Sequence, residues 1–586
     1  MENEAQTVRP KISQQQSGSS KSNPSPEKRN GPETMIVDAR SLPHNQQIDT
    51  DVCIVGGGVA GITVAREFIG QPFRVCLLES GGMEPAGDTQ ALSGGENVGH
   101  PYFQLELARP RCFGGAAYNW FLQIAENRPG IQLRPLDPID FEERDWVPYS
   151  GWPFKRAHLD PLYERAQAVC RLGPFKYRSE DWADPERKPS LPLLNGRVET
   201  VIFQLGERDT FITHHRAEIT RAENITTYLH ATVTEIETDS AGRTATRLRM
   251  ACSADKVVWV TAKLFILALG AVETPRLLLL SNRRQREGLG NGNDLVGRFF
   301  MEHPHLTSGT YITSKLHLEQ TLALYSFPPS DNGRTYGRFA LSEETLRKEQ
   351  LLNWTVSISP KFWPLTVRAG LQKVDQTCRM IGNAVVRGNF RDCGRHLKFL
   401  VPFVFNEVSA AVGRKMIGLL RRRVLNYLFA SRKVGFFSLQ HMSEQAPNPS
   451  SRVTLSEELD CFGQRQVKLD WRLSAIDIRT LLRGQQILDE ELQRAGLGRL
   501  EIEMEGEGEV SPPDLHGGWH HMGTTRMHHS PKQGVVNEHC LVHGINNLFI
   551  AGPSTFPTGG YANPTLTIVA LAIRLADHIK QRMASY

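Results

Sequence analysis

A glycine-spaced turn near the start of the chain most restricts what it can fold into. Gly56-Gly-Gly58-Val-Ala-Gly61 satisfies G-x-G-x-x-G directly after the apolar run Val52 to Val55, and a helical pattern then continues through Phe68. A second apolar run follows, Arg74 to Leu78, and it ends at Glu79. Strand, turn, helix and strand with a distal acid is the dinucleotide-binding arrangement of a doubly wound sheet. Gly56 permits the tight turn, Gly58 lets a pyrophosphate approach the backbone, and Gly61 lets helix and strand pack closely. Val59 and Ala60 open a helix whose N-terminus supplies N–H donors and positive potential. Glu79, followed by Ser80, would accept hydrogen bonds from an adenosine ribose. A glycine-rich turn without a ligand leaves that acid unexplained. The fingerprint alone does not separate NAD from FAD, but its place near the start of 586 residues, with completing strands far downstream, suits FAD.

The rest of the chain gives this unit ample material. Hydrophobic residues make up 40% and charged residues 22%, which is ordinary for a large globule of two domains. The net charge of +5 is small for the length, so nothing global points to nucleic acid. Nine scattered cysteines with no C-x-x-C pair suit a reduced, cytoplasmic protein. The N-terminus shows no signal-peptide pattern, and no run approaches the roughly 18 apolar residues of a spanning helix. Residues 1–47, rich in Ser, Gln, Asn, Pro, Lys and Glu, read as a disordered tail.

Strand patterns return near Ile225 to Glu237, Lys256 to Leu269 and Asn547 to Ala551, and a last helix covers Pro564 to about Lys580. The expected class is α/β, with α+β character overall: a Rossmann-like FAD-binding domain and a discontinuous substrate domain on an antiparallel sheet. Residues 48–130, 225–305 and 510–586 are assigned to the first, and 131–224 and 306–509 to the second.

Three further segments carry a family resemblance. They are Gly270-Ala-Val-Glu-Thr-Pro-Arg-Leu-Leu-Leu279, Val296-Gly-Arg-Phe-Phe-Met-Glu-His-Pro304, and the C-terminal run from His520-His-Met-Gly-Thr-Thr-Arg-Met527 through Gly552 to Asn563-Pro-Thr-Leu-Thr-Ile568. In order and content they resemble the glucose-methanol-choline oxidoreductases. The motifs look most like those of pyranose oxidases, glycoside 3-oxidases and the flavoprotein subunits of fructose and gluconate dehydrogenases.

The resemblance implies an FAD enzyme that oxidises a CH–OH group of a sugar, glycoside or related polyol by hydride transfer to flavin N5. His520 matches the active-site histidine, its neighbour His521 does not, and Asn563 matches the second active-site position. Arg111-Cys-Phe-Gly114-Gly115-Ala-Ala-Tyr-Asn119-Trp120 resembles the loop against the flavin ring. Asn119 stands where pyranose oxidases carry the histidine bonded to FAD, so a non-covalent cofactor is expected. Val233 falls at the adenine-contacting backbone, and Gly270 and Gly552 fall in cofactor-contacting segments.

The chemistry suits these residue types. A hydroxyl must lose its proton while hydride leaves the carbon, which calls for a base with a pKa near neutral, and histidine is one. Asn563 fits an N-cap and Pro564 a first helical position. N–H groups near Thr565 would then stabilise negative charge on a reduced flavin. Glu444 and Gln445 are weaker candidates for substrate contact. His516, His520, His521, His528 and His529 lack the partners and spacing of a metal site, so no metal is expected.

Residues 361–433 are strongly basic, with Arg421, Arg422 and Arg423 among many cations. They read as a solvated face, with peripheral membrane or protein docking as the alternative. The electron acceptor is left open between oxygen, a quinone and a redox protein. Other functions on the same fold are a hydroxynitrile lyase, a light-driven decarboxylase and a non-catalytic FAD-binding pathway protein.

Overall fold

The computed structural model describes residues 35–125, 128–184, 189–193, 196–314, 322–327, 334–360, 436–504, 512 and 514–585. The basic stretch 361–433 and most of the N-terminal tail lie outside the described residues. Regular structure begins ahead of residue 48, where the tail was expected to end. Ile36–Asp38 pairs in parallel with Ile225–Leu229, and Gln47–Asp49 pairs in parallel with Lys256–Thr261. These three-residue strands are too short to show a period in sequence, which is why composition alone assigned Ile36–Asp38 and Gln47 to the tail.

The nucleotide-turn strands form a six-stranded sheet that is parallel throughout. Its order is Ile36–Asp38, Ile225–Leu229, Val75–Leu78, Val52–Val55, Leu264–Leu267 and Leu548–Ile550. The runs Val-Cys-Ile-Val, Val-Cys-Leu-Leu and Leu-Phe-Ile-Leu are buried at every position. Continuous apolar strands of this kind are what a parallel sheet covered on both faces requires. The helix Thr565–Met583 lies against the helices Val59–Glu67 and Asp160–Val169, so the end of the chain covers its beginning.

Between those strands the chain leaves to build an eight-stranded sheet, antiparallel at every pairing. Its order is Gly498–Glu501, His305–Thr313, Phe436–Ser443, Trp354–Pro360, Thr335–Leu341, Val198–Glu207, Arg128–Leu133 and Leu122–Ala125. Leu122–Ala125 and the start of Arg128–Leu133 therefore belong with the second sheet, although the expected boundary ran to residue 130. The mixing is mutual, because Gly95–Asn97 joins Arg465–Asp470 and Arg452–Leu459 in a three-stranded sheet.

The antiparallel sheet is backed by the helix Ala475–Arg494, which starts at a Ser474/Asp477 capping box. Ile478, Leu481, Gln485, Leu488 and Leu492 recur at three- and four-residue steps and are buried, as one face of a helix must be. Gly484 lets this helix approach the fully buried Trp354, since a Cβ there would lie 2.8 Å from the indole. Alanine would improve helix propensity by about 1 kcal/mol, but overpacking a rigid ring costs about 1–3 kcal/mol. Gly484→Ala is therefore expected to lower the thermal midpoint by differential scanning calorimetry, and a raised midpoint would contradict this packing.

Candidate active site

The turn after Val52–Val55 is held by backbone contacts that leave no room for side chains. A Cβ on Gly61 would stand 1.9 Å from the Gly56 carbonyl oxygen, and one on Gly115 would stand 2.9 Å from Gly58 Cα. The loop that runs from Arg111 to Trp120 is thus laid directly on the turn, and the Gly114 N–H donates to the Gly57 carbonyl at 2.8 Å. Gly58 caps the helix Val59–Glu67 with no side-chain hydrogen bond, so the first N–H groups of that helix have no partner within it.

A cavity of about 380 Å³ opens at this point. Its walls come from the turn (Gly56, Gly58, Val59, Ala60), the next strand end (Glu79, Ser80) and the loop (Arg111, Gly115, Asn119, Trp120). Gly270, His520, Asn563, Pro564 and Thr565 also belong to them. Gly61 and Gly114 act behind the wall through their backbone contacts. Gly552 closes the strand end with φ 118°, and its Cβ position is 3.7 Å from that of Ala60. Val233 lines a smaller neighbouring cavity that shares Ser80, Arg111 and Leu269 with the larger one.

At the nucleotide end, the buried Glu79 carboxylate accepts from the N–H of Gly57 at 2.9 Å and of Gly81 at 2.8 Å. Burial raises its pKa against those hydrogen bonds. Arg111 donates to the Ser80 hydroxyl at 3.1 Å and pairs with Glu273 at 2.7 Å. Arg109 also bonds Glu273, while Arg276 reaches Glu273 at 3.3 Å and Asp460 at 2.7 Å. Burial would raise the Glu273 carboxyl, but the guanidinium groups of Arg111, Arg276 and Arg109 hold it well below the usual carboxylate range. Arg109, Arg111 and Arg276 thus meet at Glu273, and two of them, Arg109 and Arg111, also line the cavity.

The opposite end is a ring of histidines. His520 Nε2 lies 2.9 Å from Asn563 Nδ2, and His520 Nδ1 lies 2.8 Å from Nδ1 of the fully buried His303. The Glu302 carboxylate fixes the backbone here by accepting from the N–H of His520 at 2.8 Å, Gly518 at 3.1 Å and His303 at 3.2 Å. Its other oxygen accepts from the Tyr102 hydroxyl, which lies 2.7 Å from His521 Nε2, so His521 is engaged away from Asn563. Burial, with the neighbouring histidines adding to it, pushes His520 well below its ordinary pKa. Burial likewise lowers His303 to about 4 and His521 to about 3. Trp519, in the left-handed region at φ 61°, and His305 also line the cavity.

Three expectations are corrected. Glu444 is not a substrate contact: it is fully buried in a two-pronged ion pair with Arg144, at 2.6 and 2.9 Å. Gln445 is likewise buried, and its Oε1 accepts from the N–H of Glu302 and of the Trp471 indole, both at 2.9 Å. Asn563 is not a helix cap, because Pro564 takes that position with φ −67° and the Asn563 amide turns to His520 instead. Sequence reading also missed Glu302, His303, Tyr102 and Arg109. The first two sit inside the segment Val296 to Pro304, whose resemblance marked the place without assigning them a role.

These residues fit FAD. Glu79 offers acceptors for a ribose, two uncapped helix starts and the arginine wall favour a pyrophosphate and a negative ring edge, and Asn563 Oδ1 is buried without a hydrogen-bond partner. Fold and site together define a flavin-binding domain joined to an antiparallel-sheet domain. Residues 51–286 match the family model described as FAD dependent oxidoreductase, and residues 447–572 match the one described as GMC oxidoreductase. The chain belongs to the glucose-methanol-choline (GMC) oxidoreductase family, and its cofactor is FAD.

Among its relatives, 2-methyl-1,2-propanediol dehydrogenase of Mycolicibacterium austroafricanum is 25% identical over 56% of this chain and 49% of its own. The fructose dehydrogenase large subunit of Gluconobacter japonicus is 26% identical over 55% of this chain and 47% of its own. The chain thus spans about half the length of these curated relatives. The crystal structure of pyridoxine 4-oxidase from Mesorbium loti aligns over 90% of this chain and 98% of that one, with TM-score 0.48 and 15% identity.

Two outcomes test the buried carboxylates. Glu444→Ala strands the Arg144 guanidinium and should cost about 3–5 kcal/mol in denaturant unfolding; a loss near zero would show that the pair is solvated. Burial pushes Glu302 from its ordinary 4.5 up to about 7, so the folded chain binds this proton more tightly than the unfolded one. Its stabilising contribution is complete below 4.5 and is lost as pH rises through about 7. Glu302→Gln should flatten the fall in thermal midpoint across that window, and unchanged slopes would refute the shift.

Proposed function

We propose that the protein oxidises a CH–OH group of a sugar, glycoside or related polyol, with His520 as the base and Asn563 holding the alcohol oxygen. The observation that carries this reading is the 2.9 Å approach of His520 Nε2 to Asn563 Nδ2, on the wall of the same cavity as the nucleotide turn. The parallel-sheet segments hold the cofactor, and the antiparallel sheet bounds the substrate side. FAD, when bound, supplies the hydride acceptor.

The chain's own residues supply binding, orientation and the proton path. A neutral His520 keeps a lone pair at neutral pH, and an alcohol oxygen that replaces the direct contact between Nε2 and the Asn563 amide gives its proton to the ring while the amide N–H holds it. The Gly58 turn and the Arg109–Arg111 wall bind the pyrophosphate, and Glu79 binds the ribose. The uncapped start of Thr565–Met583 favours negative charge beside Asn563. Asn119 donates to the Leu107 carbonyl at 3.0 Å and offers no imidazole for a covalent link, so the cofactor is held non-covalently. The diol and sugar dehydrogenases among the relatives support an alcohol donor of this class.

Anaerobic titration of the yellow protein with sugars, glycosides and diols tests the reading, since one class should bleach the flavin absorbance. His520→Ala should retain FAD and slow that bleaching by about 10²–10⁴-fold. Bleaching at the wild-type rate in that variant would remove His520 from the proton path.

A further inference from the structure

We propose that His303 is a positioning residue that fixes the tautomer of His520, placing the lone pair of His520 on Nε2 toward Asn563 and its proton on Nδ1. This rests on the reading of His520 as the base. The two Nδ1 atoms are 2.8 Å apart, so one ring donates and the other accepts.

The surroundings of His303 decide which. Its Nε2 faces the carbonyl oxygen of Gly559 at 3.4 Å, and a carbonyl only accepts. The proton of a neutral His303 therefore belongs on Nε2, and its Nδ1 is the acceptor. His520 donates from Nδ1, which in a neutral ring leaves Nε2 unprotonated. That matches Asn563, whose Nδ2 can only donate and lies 2.9 Å away, while its Oδ1 is the atom left without a partner. Burial keeps both rings neutral.

The arrangement is rigid. Glu302 Oε2 accepts from the backbone N–H of both histidines, and the rings meet edge to face with centroids 4.9 Å apart. His305 also packs edge to face on His520, with centroids 5.8 Å apart, but its Nε2 has no hydrogen-bond partner. When Nε2 takes the alcohol proton, the Nδ1–H of His520 stays hydrogen-bonded to His303 Nδ1, so the imidazolium forms without the ring turning.

The test uses the FAD-bound protein labelled with ¹⁵N in its histidine rings, with His520 signals identified by their loss in His520→Asn. The expected long-range ¹H–¹⁵N pattern is a protonated Nδ1 and a bare Nε2 on His520. His303→Leu should abolish that preference and slow flavin reduction about 10- to 100-fold with substrate affinity little changed. His303→Asn, with an acceptor oxygen near the place of Nδ1, should restore both. A wild-type His520 protonated on Nε2 overturns the proposal, as does an unchanged tautomer in His303→Leu. The wild-type spectrum alone decides if the leucine variant fails to fold. Because that spectrum needs no turnover, a wrong tautomer with His520→Ala still inactive would sink this inference alone, whereas failure of the base assignment would show in the reduction kinetics.

Discussion

The carboxylate of Glu302 ties together parts of the chain that lie far apart in sequence. One oxygen gathers the backbone N–H groups of His303, Gly518 and His520, and the other receives the Tyr102 hydroxyl. A fully buried acid with so many donors is held by them against the cost of leaving water, and it holds them in turn. Its own N–H is bonded to Gln445, which also accepts from the Trp471 indole, so the contact extends into the three-stranded sheet. The same two segments also pair directly, Met301 with Met522 and His305 with His516, and the acid adds to that pairing at the residues that carry the histidines.

This anchoring explains why the site lies where the two large sheets meet. The parallel sheet alone supplies a nucleotide turn, and the antiparallel sheet alone supplies a broad surface. Glu302 and His303 lie just ahead of Pro304 and the strand His305–Thr313 of the second sheet, while Asn563 lies just ahead of Pro564, the cap of the helix that covers the first. The polar residues Glu444 and Gln445, which end a strand of the second sheet, hold this junction from inside. Their neighbours Arg144, Trp471 and Asn353 make them internal braces.

What was legible in the sequence follows from distance along the chain. The nucleotide turn is a local object: its glycines, its helix and Glu79 lie within a short span and obey spacing rules, so their positions agree with the structure. The four-residue apolar strands could be read for the same reason. Ile36–Asp38 could not, because three residues carry no period and its pairing with Ile225–Leu229 is a tertiary event. His303 meets His520 across 217 positions, and no spacing rule announces such a contact. Glu444 shows the converse error, since a charged residue at a strand end reads as exposed until its buried arginine is seen. Asn563 before Pro564 read as a cap because that local preference is strong, and the His520 ring outcompeted it.

The two ends of the cavity are electrostatically opposite in design. At the nucleotide end, charged groups are paired: Arg109, Arg111 and Arg276 contact Glu273, and Arg276 also contacts Asp460. At the histidine end, charge is excluded: burial holds His303, His305, His520 and His521 neutral, and Glu302 sits near the point of losing its own charge. A base surrounded by fixed cations would resist accepting a proton, and one beside a fixed carboxylate would hold it too long for repeated use. Neutral partners avoid both. On the proposed reading of His520 as the base, they leave its affinity for a proton to be set by the oxygen placed against it and by nearby dipoles, among them the Gly559 carbonyl that faces His303.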